Sequence, residues 1–98
     1  MYTDTKLKMK RFKSQFLSPV QKILLVLYRA REPLSVPTIL LITNLSPAAI
    51  YYNLKKLEIA GLVRSIKKKT GYVYVLTEKG KKAVLEMINE MKEWIEEN

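Results

Sequence analysis

The tightest constraint on this chain is the distance from one helix stop to the next helix start. Asn44 punctuates the run Val36 to Thr43, and Ser46-Pro47 opens a new helix only two residues later. Serine caps free amides, and proline at the first helical position loses no hydrogen bond it would have made. So short a turn leaves room only for an angled helix pair. The run Ile39-Leu40-Leu41-Ile42 alone fits buried helix or buried strand. Pro37 near its start and Asn44 at its end select a two-turn helix.

The same punctuation organises the flanks. Ser18-Pro19 starts a helix that runs to about Arg31, with Val20, Ile23, Leu24 and Leu27 on one face and Glu32-Pro33 as its stop. Leu34-Ser35 fits a very short strand or bridge. The helix that begins at Ser46-Pro47 runs to Ala60, with Gly61 as a left-handed stop and Ile50, Leu54 and Leu57 as its core stripe. Leu62 to Ile66 and Tyr72 to Leu76 read as strands, joined through Lys67-Lys68-Lys69-Thr70-Gly71 as a hairpin connection. Thr77 caps a last helix, Glu78 to about Glu97. The glycines Gly61, Gly71 and Gly80 stand apart, each with a turn or cap explanation, and form no phosphate-binding loop.

This order of elements is that of an α+β, mainly α, winged helix-turn-helix with a two-stranded β wing and a long C-terminal dimerisation helix. Leu45-Ser46-Pro47-Ala48-Ala49-Ile50-Tyr51-Tyr52-Asn53-Leu54-Lys55-Lys56-Leu57-Glu58-Ile59-Ala60-Gly61-Leu62-Val63-Arg64 resembles the recognition-helix motif of ArsR-, MarR- and PadR-type transcriptional regulators. Leu76-Thr77-Glu78-Lys79-Gly80 is similar to the segment that follows the wing in the MarR and PadR groups. The resemblance covers roughly residues 18 to 82 and implies a regulator that binds double-stranded DNA. It departs from ArsR-type metal sensors: Ala48, Ala49 and Tyr51 stand where small polar residues are usual, and Asn53 stands at the position of a histidine.

The residues make their own case. On a wheel centred on Ile50, Leu54 and Leu57, the opposite face carries Ala48, Tyr52, Lys55 and Lys56, with Tyr51 on the flank and Ala49 near the rim. The first turn of such a helix, Ser46 and Pro47 included, fits a major groove about 12 Å wide. Small alanines permit close approach, tyrosine hydroxyls reach phosphates or bases, and the lysines suit the backbone. No arginine or glutamine on this face supplies a bidentate base contact, which shifts weight to DNA shape. Arg64 and the wing lysines Lys67, Lys68 and Lys69 complete the candidate DNA-binding set, as phosphate or minor-groove contacts. Packing is the competing role for Tyr51 and Tyr52, and a solvated turn for the three lysines.

Charge supports a polyanion partner. With 18 Lys+Arg against 9 Asp+Glu, the net charge is +9, distributed as +4 over residues 1–17, +2 over 18–45, +5 over 46–76 and −2 over 77–98. The absence of cysteine and histidine removes disulfides, thiolate or imidazole metal sites and the commonest general base, so neither an enzyme, a cofactor nor a metal is expected. The longest apolar run, Ile23 to Tyr28, is far short of the roughly 20 residues that span a bilayer, which leaves a cytoplasmic protein with no membrane partner.

The chain divides into a basic arm or short helix at 1–17, a DNA-binding domain at 18–76 and a dimerisation helix at 77–98. In the last, Val84, Met87, Ile88, Met91, Trp94 and Ile95 recur at three- and four-residue steps, a stripe suited to a second copy of the chain. Phe12 and Phe16 of the arm are candidates to join that interface. A homodimeric, sequence-selective regulator is the leading expectation. A low-specificity architectural DNA-binding protein and a winged-helix protein-interaction module are the alternatives; the sequence does not specify an effector.

Overall fold

The computed structural model describes residues 17–97, so Phe12, Phe16 and nearly all of the 1–17 arm lie outside the described residues. The elements run α1 (Pro19–Arg29), β1 (Leu34–Ser35), α2 (Val36–Thr43), α3 (Pro47–Ile59), β2 (Val63–Lys68), β3 (Gly71–Leu76) and α4 (Glu78–Glu97).

Local chemistry starts each helix. At α1, Ser18 Oγ accepts from the Gln21 amide at 3.1 Å while the Ser18 amide donates to Gln21 Oε1 at 2.9 Å, a closed capping box. Ser35 and Ser46 cap α2 and α3 through the first half of that arrangement alone, their hydroxyls accepting from the Thr38 and Ala49 amides, each followed by proline in the first turn. Helix α1 ends at Arg29, two residues before the stop expected from Glu32-Pro33, because Ala30 already turns extended.

The sheet is antiparallel, with order β1-β3-β2, and Leu34 pairs with Tyr74. The hairpin differs from the sequence expectation. Lys67 and Lys68 are paired strand residues opposite Tyr72 and Gly71, so the connection is only Lys69-Thr70. A two-residue loop extends the ladder by two rungs and forces consecutive lysines onto opposite faces.

The core joins every layer: Ile23 and Val26 of α1, Leu34 of β1, Ile39 of α2, Ile50 and Leu54 of α3, and Val84 of α4 are its largest fully buried side chains. Each is worth about 1.5–3 kcal/mol when removed from water. The base of α4 therefore belongs to the same core as the helix pair, packing against α1 and β3.

Candidate nucleic-acid interface

Helix α3 is fixed at both ends. Before it, Asn44 adopts φ 60° and its amide donates to Leu40 O at 2.7 Å. Buried Thr43 donates its hydroxyl to Ile39 O at 2.7 Å and accepts from the Leu45 amide at 3.3 Å, which locks the three-residue turn. After it, Gly61 at φ 80° reverses the chain; the Leu62 amide reaches Leu57 O at 2.9 Å and the Gly61 amide reaches Glu58 O at 3.0 Å.

The segment Thr77-Glu78-Lys79-Gly80 clasps that second corner. Thr77 Oγ1 donates to Gly61 O at 2.7 Å and accepts from the Gly80 amide at 3.0 Å, while Lys79 Nζ donates to Ala60 O at 3.1 Å. Gly80 is neither turn nor cap, contrary to the sequence expectation. It lies buried inside the first turn of α4, where a β-carbon would stand 2.1 Å from Leu62 O. Close approach of helix to corner is what glycine provides here.

With both ends held, α3 buries Ile50, Asn53, Leu54 and Leu57, and Asn53 satisfies its amide by donating from Nδ2 to Ala49 O at 2.7 Å. Its other face is open. Ser46, Pro47, Ala48, Tyr51, Tyr52, Lys55 and Lys56 are exposed and Ala49 is half-buried. Tyr52 is 65% exposed, with Lys56 Nζ 5.3 Å from its ring centroid, a cation held over an aromatic face. Ile59 is also exposed; the hairpin does not cover it.

The wing separates its cations. Ser65 and Lys67, with their partners Tyr74 and Tyr72, face α3, whereas Arg64, Ile66 and Lys68 alternate onto the other face. Lys67 Nζ lies 4.9 Å from the Tyr72 ring centroid, and Lys69 sits in the turn. Ser65 Oγ donates to Glu58 Oε2 at 2.8 Å, tying wing to α3. Between them Tyr51, Tyr72 and Tyr74 line a cleft. Burial raises the Tyr74 phenol above its ordinary 10.0, with Glu58, Tyr51 and Tyr72 adding to the effect, so its hydroxyl keeps its proton. Tyr72, Tyr74, Ser65 and Glu58 were not candidates from sequence; the register that sets Ser65 opposite Tyr74 is fixed only once the hairpin loop is two residues long.

The apolar stripe of α4 divides in two. Val84 is fully buried in its own domain, so it has no surface for a partner, and Met87 and Ile88 pack half-buried against the same core. Met91, Trp94 and Ile95 are exposed, the last two at 72%. The division follows from Gly80, which lets the base of α4 reach the body while the helix, about 30 Å long, continues past it. Among the described residues no helix is long and apolar enough to cross a membrane, and no cluster of three or more acidic, His or Cys side chains suits a metal ion.

Comparison with known proteins agrees with this architecture. Residues 20–66 match the model of a helix-turn-helix domain family. No curated protein matches the sequence. Among solved structures, AF1382 from Archaeoglobus fulgidus superposes with a TM-score of 0.72 at 22% identity, over 86% of this chain and 93% of that one. A transcriptional regulator from Thermotoga maritima gives 0.68 at 18%, over 97% of this chain and 66% of its own. BpsR of Bordetella bronchiseptica, whose DNA binding is regulated by 6-hydroxynicotinic acid, gives 0.66 at 16%, over 98% and 69%. At these identities the likeness is one of fold, and the resemblance to winged helix-turn-helix regulators holds at that level.

Proposed function

We propose that this winged-helix chain is a homodimeric, sequence-selective regulator of transcription that binds double-stranded DNA in the cytoplasm. The observation that carries the reading is the open face of α3: a core-anchored helix, capped at Ser46, turns Ala48, Tyr52, Lys55 and Lys56 to solvent while its opposite side is buried. A rigid helix of this kind loses little entropy on entering a major groove. Ala48 and Ala49 lie against base edges, Tyr51 and Tyr52 bond to phosphates or bases, and Lys55 and Lys56 hold the backbone. Arg64 and Lys67 to Lys69 lie along the flanking strand or minor groove.

The second copy docks through the distal stripe of α4, where Met91, Trp94 and Ile95 offer exposed apolar surface. Two-fold symmetry then places half-sites about 34 Å apart, or a multiple of it, in an inverted repeat. Selection of bound sequences from a random duplex pool, followed by gel-shift competition, tests this. The expected result is an enriched inverted repeat that outcompetes random duplex; an unenriched pool refutes sequence-selective regulation.

One observation favours a second reading. The exposed face of α3 carries no arginine or glutamine for bidentate base contact, while its lysines suit phosphates. A low-specificity architectural protein would then bind mainly by counterion release, and Tyr52→Ala would change its affinity little.

A further inference from the structure

The cleft between recognition helix and wing holds two rings, Tyr72 and Tyr74, that the proposed duplex surface does not use. Tyr51 comes from α3, Tyr72 and Tyr74 from β3, and the three converge on two adjoining cavities of about 320 Å³ and about 410 Å³. The outer two rings remain open, Tyr51 at 58% and Tyr72 at 51% exposure. Lys67 Nζ stands over one face of Tyr72, 4.9 Å from its centroid, and a planar ligand would take the other.

Charge gives that ligand an orientation. Lys55 stands on the α3 wall of the first cavity, and Lys68, which leaves the hairpin on its other face, borders the second at the wing tip. Beside Tyr74 on the cleft's lining, exposed to solvent, lies Glu58, the sole acid between residues 46 and 76, tied to the wing by Ser65. A carboxylate there repels a phosphate and accepts from the amino or imino edge of a base. The rings suit a base and the lysines its backbone. Bases in an intact duplex are paired and stacked and do not enter such a cleft without being extruded, whereas those of a single strand are available.

We propose that the Tyr51–Tyr72–Tyr74 cleft is a binding site for single-stranded DNA, which takes an unpaired base onto the Tyr72 ring with the flanking phosphates on the lysines. The site shares Tyr51, Lys55 and Lys68 with the proposed duplex surface but not Tyr72, so variants at Tyr72 let either assignment fail alone.

The test is fluorescence anisotropy with a short labelled single strand of mixed sequence and, in parallel, its duplex and the RNA strand of the same sequence. The proteins compared are wild type, Tyr72→Phe and Tyr72→Leu; the residue is exposed, and thermal melts verify that all three are folded. A stacking site keeps its single-strand affinity in Tyr72→Phe, which retains the ring, and loses roughly tenfold or more in Tyr72→Leu. Duplex affinity stays the same in all three. Equal losses in the two variants would mean a hydroxyl contact to phosphate and overturn the stacking site, as would no loss in either. Tighter binding of RNA with the same dependence on the ring would overturn DNA as the occupant.

Discussion

Replacement of Gly80 by alanine sets two physical effects of opposite sign against each other. Gly80 lies within the first turn of α4, where helix propensity favours alanine over glycine by about 0.8–1.0 kcal/mol. Packing opposes it. The new β-carbon would meet Leu62 O at 2.1 Å, Leu62 C at 3.0 Å and Leu76 Cδ2 at 3.2 Å, and the first two belong to backbone that has little freedom to move. Relief of such overpacking costs about 1–3 kcal/mol. Leu62 O also accepts from the Thr77 amide at 3.0 Å, and displacing it loses about 0.5–1.5 kcal/mol more. The balance is a destabilisation of about 2 kcal/mol, which lowers the melting temperature by about 8 °C or more in a domain of this size. Thermal and urea unfolding followed by far-ultraviolet circular dichroism, at fixed protein concentration, measures it. A variant as stable as wild type, or more so, would refute the close approach of α4 to the corner after α3.

Four further outcomes are expected. Thr77→Val removes the hydroxyl that bonds both Gly61 O and the Gly80 amide, and lowers stability by about 0.5–2 kcal/mol, read as a reduced urea midpoint at unchanged slope. Tyr74 has a folded-state pKa above its unfolded value of 10.0, so the stability it adds is full below pH 10 and is lost as pH rises through the folded value. Tyr74→Phe therefore flattens the decline of stability above pH 10 in pH-dependent unfolding. Trp94→Glu combined with Ile95→Glu, at two exposed positions, yields monomers by sedimentation while the melting temperature of the domain core persists at matched concentration. Lys67→Gln, Lys68→Gln and Lys69→Gln together reduce the slope of log K against log salt by about 0.9 for each phosphate that the wing no longer neutralises.

Much of the architecture was legible because it rests on local chemistry. Ser18-Pro19, Ser46-Pro47, Asn44 and Gly61 announce helix ends through hydrogen bonds within a few residues, and the structure places a cap or a left-handed residue at each. The open face of α3 was equally readable, since Ile50, Leu54 and Leu57 fix which side turns inward. The wing was harder. Five consecutive residues, Lys67 to Gly71, have loop-like composition, yet pairing across the hairpin recruits Lys67 and Lys68 into the ladder, a long-range decision that composition does not encode.

The sequence by itself determined where the helices begin, where α2 and α3 end to within a residue, the positive charge and the face of α3 left to solvent, because each follows from spacing along one element. Tertiary structure alone decided that Val84 is core rather than interface, that Gly80 is a point of contact rather than a cap, and that Tyr51, Tyr72, Tyr74 and Glu58 share one cleft. Those facts depend on how separate elements meet, and periodicity within a single helix or strand carries no record of its neighbour.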